Sequence, residues 1–145
     1  MRKSIKSLYR YFIFAAILLV ATIFFLWNNM KLYEAWMDEA TNVYVTWFDY
    51  QGMKYYRQLS NTNIDIINAY LKNIDNPKKI FWRDKPRAGD LNYTIYYYGK
   101  KNIQYTIKSS GIIVVQNMNF PYQYSMWEID KEITDEIIEY IKGFT

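Results

Sequence analysis

The chain has 145 residues, no Cys and no His, 18 Lys plus Arg against 14 Asp plus Glu, and a formal charge of +4. The missing His and Cys exclude Ser-His-Asp and Cys-His triads, thiol redox chemistry, disulfide staples and the usual zinc sites. All four net charges come from Arg2, Lys3, Lys6 and Arg10, and from Asn28 onward 14 basic residues face 14 acidic ones, which removes the basic footprint of a nucleic-acid binder.

Residues 11–27 (YFIFAAILLVATIFFLW) carry no charge, and eleven of the 17 are Leu, Ile, Val or Phe. As a helix they rise roughly 26 Å, and Leu8 and Tyr9 extend this to about 30 Å, the thickness of a hydrocarbon core. Tyr9, Tyr11 and Trp27 stand where interfacial aromatics belong. The segment is expected to span the bilayer as a retained signal anchor, because no small-x-small cleavage pattern follows Trp27. Four basic residues precede it and only Lys31 closely follows. That asymmetry predicts a cytoplasmic N-terminus, a single pass through the plasma (inner) membrane and an extracytoplasmic C-terminal part.

The predicted layout is a cytoplasmic basic tail (1–10), a transmembrane helix (11–27), a stalk or linker (28–50) and an extracytoplasmic α+β domain (51–145). Asn, Ile, Lys and Tyr are abundant and Gly and Pro scarce, which suggests an AT-rich bacterial or phage genome. Fourteen of the 16 Tyr lie beyond residue 27, too many for a disordered tail.

In the stalk, Tyr33, Trp36, Met37 and Ala40 share one helical face, so the membrane helix is expected to continue into residues 30–41. Residues 43–50 (VYVTWFDY) suit either a strand or a continuing helix, and Gly52 marks a break. Caps among residues 60–63, then Ile64, Ile67, Leu71 and Ile74, predict a helix ended by Asn76-Pro77. Residues 80–83 read as a short strand and 83–90 as a loop.

Three runs, 93–98, 103–108 and 112–118, are separated by turn material at 99–102 and 109–111 and predict an antiparallel meander. Ser125 to Glu128 matches a capping box. Ile129, Ile133, Ile137 and Ile141 then predict a terminal helix ended by Gly143. The fold class is therefore α+β: one N-terminal transmembrane helix and a small domain whose antiparallel β-meander packs against helices.

Two clusters are candidates for binding. On the first meander strand Tyr96 and Tyr98 alternate with Ile95 and adjoin Lys100 and Lys101, a combination suited to a protein partner if the second sheet face is open. The competing arrangement covers that face with the stalk or residues 43–50. Lys78, Lys79, Arg83, Lys85 and Arg87, interleaved with Phe81 and Trp82, suit an anionic surface; the plainer alternative is a charged loop beside a core strand. Ser60, Ser109 and Ser110 are the serines that a Ser/Lys dyad could draw on, but 109–111 reads better as a turn.

No nucleotide loop or metal motif is present, so no cofactor is expected. The expected function is that of a single-pass, membrane-anchored extracytoplasmic binding or accessory protein without catalysis: an inhibitor, an immunity-type protein or a complex subunit. Its partners are the bilayer, through residues 11–27, and another membrane or envelope protein, with no nucleic acid. The alternative is a small tethered cell-envelope hydrolase using Ser/Lys or paired carboxylates.

Overall fold

A computed structural model describes residues 2–27, 30–81, 92–120 and 123–145. Helix α1 (Arg2–Trp27) is long and apolar enough to cross a membrane, and none of its 7–24 stretch is buried against the rest of the chain. Thr22, toward the C-terminal end of the rod, turns its hydroxyl back to Leu18 O at 2.8 Å, so that polar group is satisfied within the helix.

The remainder is one antiparallel sheet of seven strands with helices on one side. The strands are β1 (Asn42–Phe48), β2 (Lys54–Gln58), β3 (Lys78–Ile80), β4 (Asn92–Tyr98), β5 (Ile103–Lys108), β6 (Ile112–Asn117) and β7 (Tyr124–Glu128). Their order is β2-β1-β4-β5-β6-β7-β3. The predicted meander is β4-β5-β6, with Tyr97 opposite Ile103 and Tyr105 opposite Val115. Gly111 closes its second turn at φ +82; a Cβ there would stand 3.0 Å from Ile129 O, so the turn needs a residue without one.

Period-2 alternation decides which face is core. Val43, Val45, Ile95, Tyr97, Tyr105, Ile107, Ile113 and Val115 point to one side and are fully buried there. Helices α2 (Asn61–Lys72) and α3 (Lys131–Lys142) cover that side with Ile64, Ile67, Leu71, Ile137, Ile138 and Ile141. Each such aliphatic side chain contributes about 1.5–3 kcal/mol by leaving water. Ser60 caps α2 by accepting from Asn63 N at 3.3 Å, and the Tyr140 hydroxyl on α3 donates to Asn63 Oδ1 at 2.9 Å, locking the two helices together.

Several predicted elements differ in the structure. Residues 30–41 are not a helical extension: only Ala35–Glu39 form a 3-10 turn, and Met30, Leu32, Met37 and Ala40 lie in the core cluster. The spacing of Trp36, Met37 and Ala40 serves one tight turn as well as an α-helix, and burial under the sheet decides between them. Residues 43–50, open to both readings, supply β1, which pairs with both β2 and β4. The globular part therefore begins at Met30 rather than at residue 51. Helix α2 stops at Lys72, before Asn76-Pro77, and Asn76 takes φ 48. The strand expected at 80–83 is β3, shifted to Lys78–Ile80.

The capping box at 125–128 is also corrected. Those residues form β7, held between β6 and β3, and Asp130 is the N-cap of α3, its carboxylate accepting from Glu132 N at 3.0 Å. Ladder bonds on both sides of β7 outweigh one short-range capping pattern.

Candidate functional site

With α2, α3 and the 3-10 turn all on one side, the other sheet face has no described element packed over its β2-β1-β4 half. Strand β1 lies within the sheet and so does not shield it, and the 30–41 segment lies on the core side. The even-numbered residues of β1, β2 and β4 populate this face. Cross-strand registers place Tyr44 opposite Tyr96, Thr46 opposite Tyr56 and Thr94, and Phe48 opposite Lys54.

The rings interlock. Tyr96 stacks on Tyr98 at 6.5 Å between centroids, Tyr98 meets Tyr44 edge-on at 6.0 Å, and the Lys54 ammonium sits 6.0 Å from the Tyr96 ring centre. Such contacts hold aromatic side chains in place without removing them from water. Tyr98 remains 42% exposed, Phe48 61% and Tyr56 77%, while Tyr96 is half-buried among its neighbours. Tyr50 and Met53 in the β1–β2 turn are also exposed, whereas Tyr55 lies on the opposite face, stacked on Trp47. A contiguous aromatic surface with few charges is the composition of a protein-binding patch.

The sequence candidates distribute unevenly around this face. Tyr96 and Tyr98 lie on it. Lys100 is exposed in the β4–β5 turn that borders it. Lys101, in the same turn, is drawn to Glu34 by an ion pair on the domain's flank. Lys78 and Lys79 do not converge, since neighbouring residues of β3 point to opposite faces: Lys78 stands opposite Glu128, and Lys79 lies 5.6 Å from the centre of the Trp127 ring. Burial there pushes the Lys79 ammonium pKa down from its ordinary value. Arg83, Lys85, Arg87 and Trp82 fall outside the described residues. Phe81 is exposed and stacks with Phe24 of α1 at 6.2 Å.

Sequence reasoning missed Tyr44, Phe48, Lys54 and Tyr56 as companions of Tyr96 and Tyr98. They come from β1 and β2, and only long-range pairing brings them beside β4.

Behind the face lies a polar network. Asn68, buried on α2, donates to Met37 O at 2.9 Å and to Asp38 Oδ1 at 3.2 Å, and its Oδ1 accepts from the Tyr97 hydroxyl at 2.7 Å. The Tyr105 hydroxyl donates to the Met37 sulfur at 3.3 Å. Desolvation raises the pKa of both tyrosines well above the ordinary tyrosine range, with the Asp38 charge adding to the effect on Tyr97. These groups stay protonated and closed in on one another, so their chemistry is that of a structural link between sheet, α2 and the 3-10 turn.

Ser60 is occupied as a helix cap, and among the described residues no group of three or more Asp or Glu is placed to hold a metal ion. A cleft of about 410 Å³ between α2 and α3 is lined by Ile66, Ala69, Tyr70, Asn73, Ile133 and Glu136. It is shallow, and Glu136 is its single ionisable acid. No family model, curated protein or solved structure matches the chain.

Proposed function

We propose that this chain is a single-pass, membrane-anchored binding protein, in which α1 is retained in the plasma membrane with its N-terminus in the cytoplasm. The domain stands on the far side and presents the aromatic β2-β1-β4 face to another membrane or envelope protein, without catalysis. The observation that carries this reading is the interlocked Tyr44–Tyr98–Tyr96 surface, set on a rigid sheet and left in contact with water. Tyr buries a large area at low conformational cost and keeps a hydroxyl for hydrogen bonding, which is why it is enriched at interfaces. The basic residues before α1 support the orientation.

The test of the surface is crosslinking of the full-length chain in its native membrane, comparing the parent with a Tyr96→Ala/Tyr98→Ala double variant. Capture of the same protein from parent membranes and its loss from the variant, at equal expression and with the fold intact, is the expected outcome. Equal capture by both overturns the assignment. Orientation is tested separately: a reporter active only outside the cytoplasm, fused after Thr145, is expected to be active, and a reporter active only in the cytoplasm is expected to be silent. The reverse pattern places the domain inside.

A further inference from the structure

We propose that the chain pairs with a second copy of itself through the outer edge of β2, joining two seven-stranded sheets into one across a two-fold axis at Tyr56. This goes beyond the reading of the aromatic face, because it concerns the backbone edge of the sheet rather than its surface.

The two edges of the sheet are β2 and β3. Strand β3 has three residues, follows Pro77 and is thereby blunted. Strand β2 has five residues, no Pro and no buried member. The hairpin that presents it is pinned: Asp49 Oδ1 accepts from Gln51 N and Met53 N at 2.9 Å each, and Asp49 Oδ2 accepts from the Tyr55 hydroxyl at 3.1 Å. The edge is therefore preformed and costs little to order on pairing.

Backbone direction fixes the register. Leu59 N donates to Val43 O at 2.8 Å and Asp49 N donates to Met53 O at 3.0 Å. Those are the bonded pairs that bracket β2, so Tyr55 and Arg57 turn their amides and carbonyls toward β1. Lys54, Tyr56 and Gln58 turn theirs outward, and they have no backbone partner among the described residues.

An antiparallel copy centred on Tyr56 matches all three outward residues. It sets Tyr56 against Tyr56 of the second copy and Lys54 against Gln58 of the second copy, with about six new ladder hydrogen bonds. Between them Tyr55 stands opposite Arg57 of the second copy as a pair without ladder bonds. No like charges stand opposite one another.

The two cations that could block the edge are held on their own domain. The Lys54 ammonium lies over Tyr96, and the Arg57 guanidinium donates to Phe144 O at the end of α3. An isologous contact of this kind is self-complementary and closes at two copies.

The absence of native Cys gives a clean experiment. Full-length chain in detergent micelles is weighed by light scattering beside a Tyr56→Pro variant, and single-cysteine Tyr56→Cys and Tyr98→Cys variants are crosslinked in native membranes. The amide that Tyr56→Pro removes points away from β1, so proline there spares the β1–β2 ladder. Unchanged circular dichroism and melting temperature verify that.

The expected result is two protein chains per micelle for the parent, one for Tyr56→Pro, and a covalent dimer from Tyr56→Cys several-fold above that from Tyr98→Cys. A single Tyr98→Ala variant, which leaves Tyr96 beneath the Lys54 ammonium, should keep the two-chain mass, which separates this contact from the aromatic face. A single-chain parent overturns the proposal. So does a Tyr56→Pro variant that stays folded and paired, which would place the contact in α1 or elsewhere. Capture of other proteins alone at Tyr56→Cys also overturns it, because the edge then serves a foreign strand.

Discussion

The two faces of the same sheet use the same residue types for opposite purposes. On strand β4, Tyr93, Ile95 and Tyr97 point into the core, whereas Tyr96 and Tyr98, one residue out of phase, point to water. On the core side a tyrosine is acceptable because its hydroxyl finds a fixed acceptor: Tyr97 donates to Asn68 Oδ1 at 2.7 Å. On the open side no such acceptor is needed, since water supplies one, and the rings are ordered by one another. The composition of a strand thus says little about burial; the partner of each hydroxyl says much more.

The largest test of this contrast is on the core side. Ile137 is completely buried beneath the sheet, and Ile137→Ala should cost about 2–5 kcal/mol, read by denaturant unfolding of the full chain in detergent. A loss under about 0.5 kcal/mol would mean that α3 is not packed on the sheet.

Next in size is Tyr97→Phe, which keeps the ring and strands the Asn68 oxygen; the cost should be about 1–3 kcal/mol. The same hydroxyl sharpens the contrast through pH. The pKa of Tyr97 is raised in the folded state above the ordinary value of 10.0. Its contribution to stability is therefore intact below pH 10. Above that pH the unfolded chain releases the proton while the folded chain holds it, and stability falls until the folded pKa is passed. Tyr105 acts in the same direction. Melting temperature should drop as pH climbs past 10, and the drop should be smaller for Tyr97→Phe. A pH-independent melt from 9 to 11 would show that these hydroxyls are not closed off.

The smallest effect belongs to the open face. The Tyr96→Ala/Tyr98→Ala pair should cost only about 1 kcal/mol, because it removes ring contacts between half-exposed side chains. A loss as large as that of Ile137→Ala would make the two faces energetically alike.

How far the sequence announces this arrangement depends on the range of the interaction involved. The alternation in β4 and β5, the turns between the meander strands and the α2 cap are local, and residues 60–72 and 93–117 declare them. Strand β2 is not local: KYYRQ is exposed at every position and carries no apolar alternation, so only its ladder with β1 makes it a strand. The Ser125–Glu128 segment shows the reverse error, a local helix-start pattern overruled by neighbours on both sides. Segment 30–41 reads as a stalk because its apolar residues sit at helical spacing, yet what they answer is the underside of the sheet. The aromatic face suffers from the same limit. Two of its tyrosines share a strand and are visible in sequence, and the rest arrive through registers that no window of a dozen residues contains.

One junction has a consequence for how the protein explores its surroundings. Helix α1 ends at Trp27, and Met30 already donates its backbone N–H to the buried Ser125 hydroxyl at 2.9 Å. Three peptide units separate the two points, a span of at most about 11 Å. In the anchored arrangement proposed above, this is a leash shorter than the domain it holds. The domain has almost no vertical reach, so encounters become a two-dimensional problem: what matters is the number of partners per area of membrane, not per volume of compartment. A ligand on a distant layer would have to come down to the bilayer, and a neighbour floating in the same sheet of lipid would be met again and again.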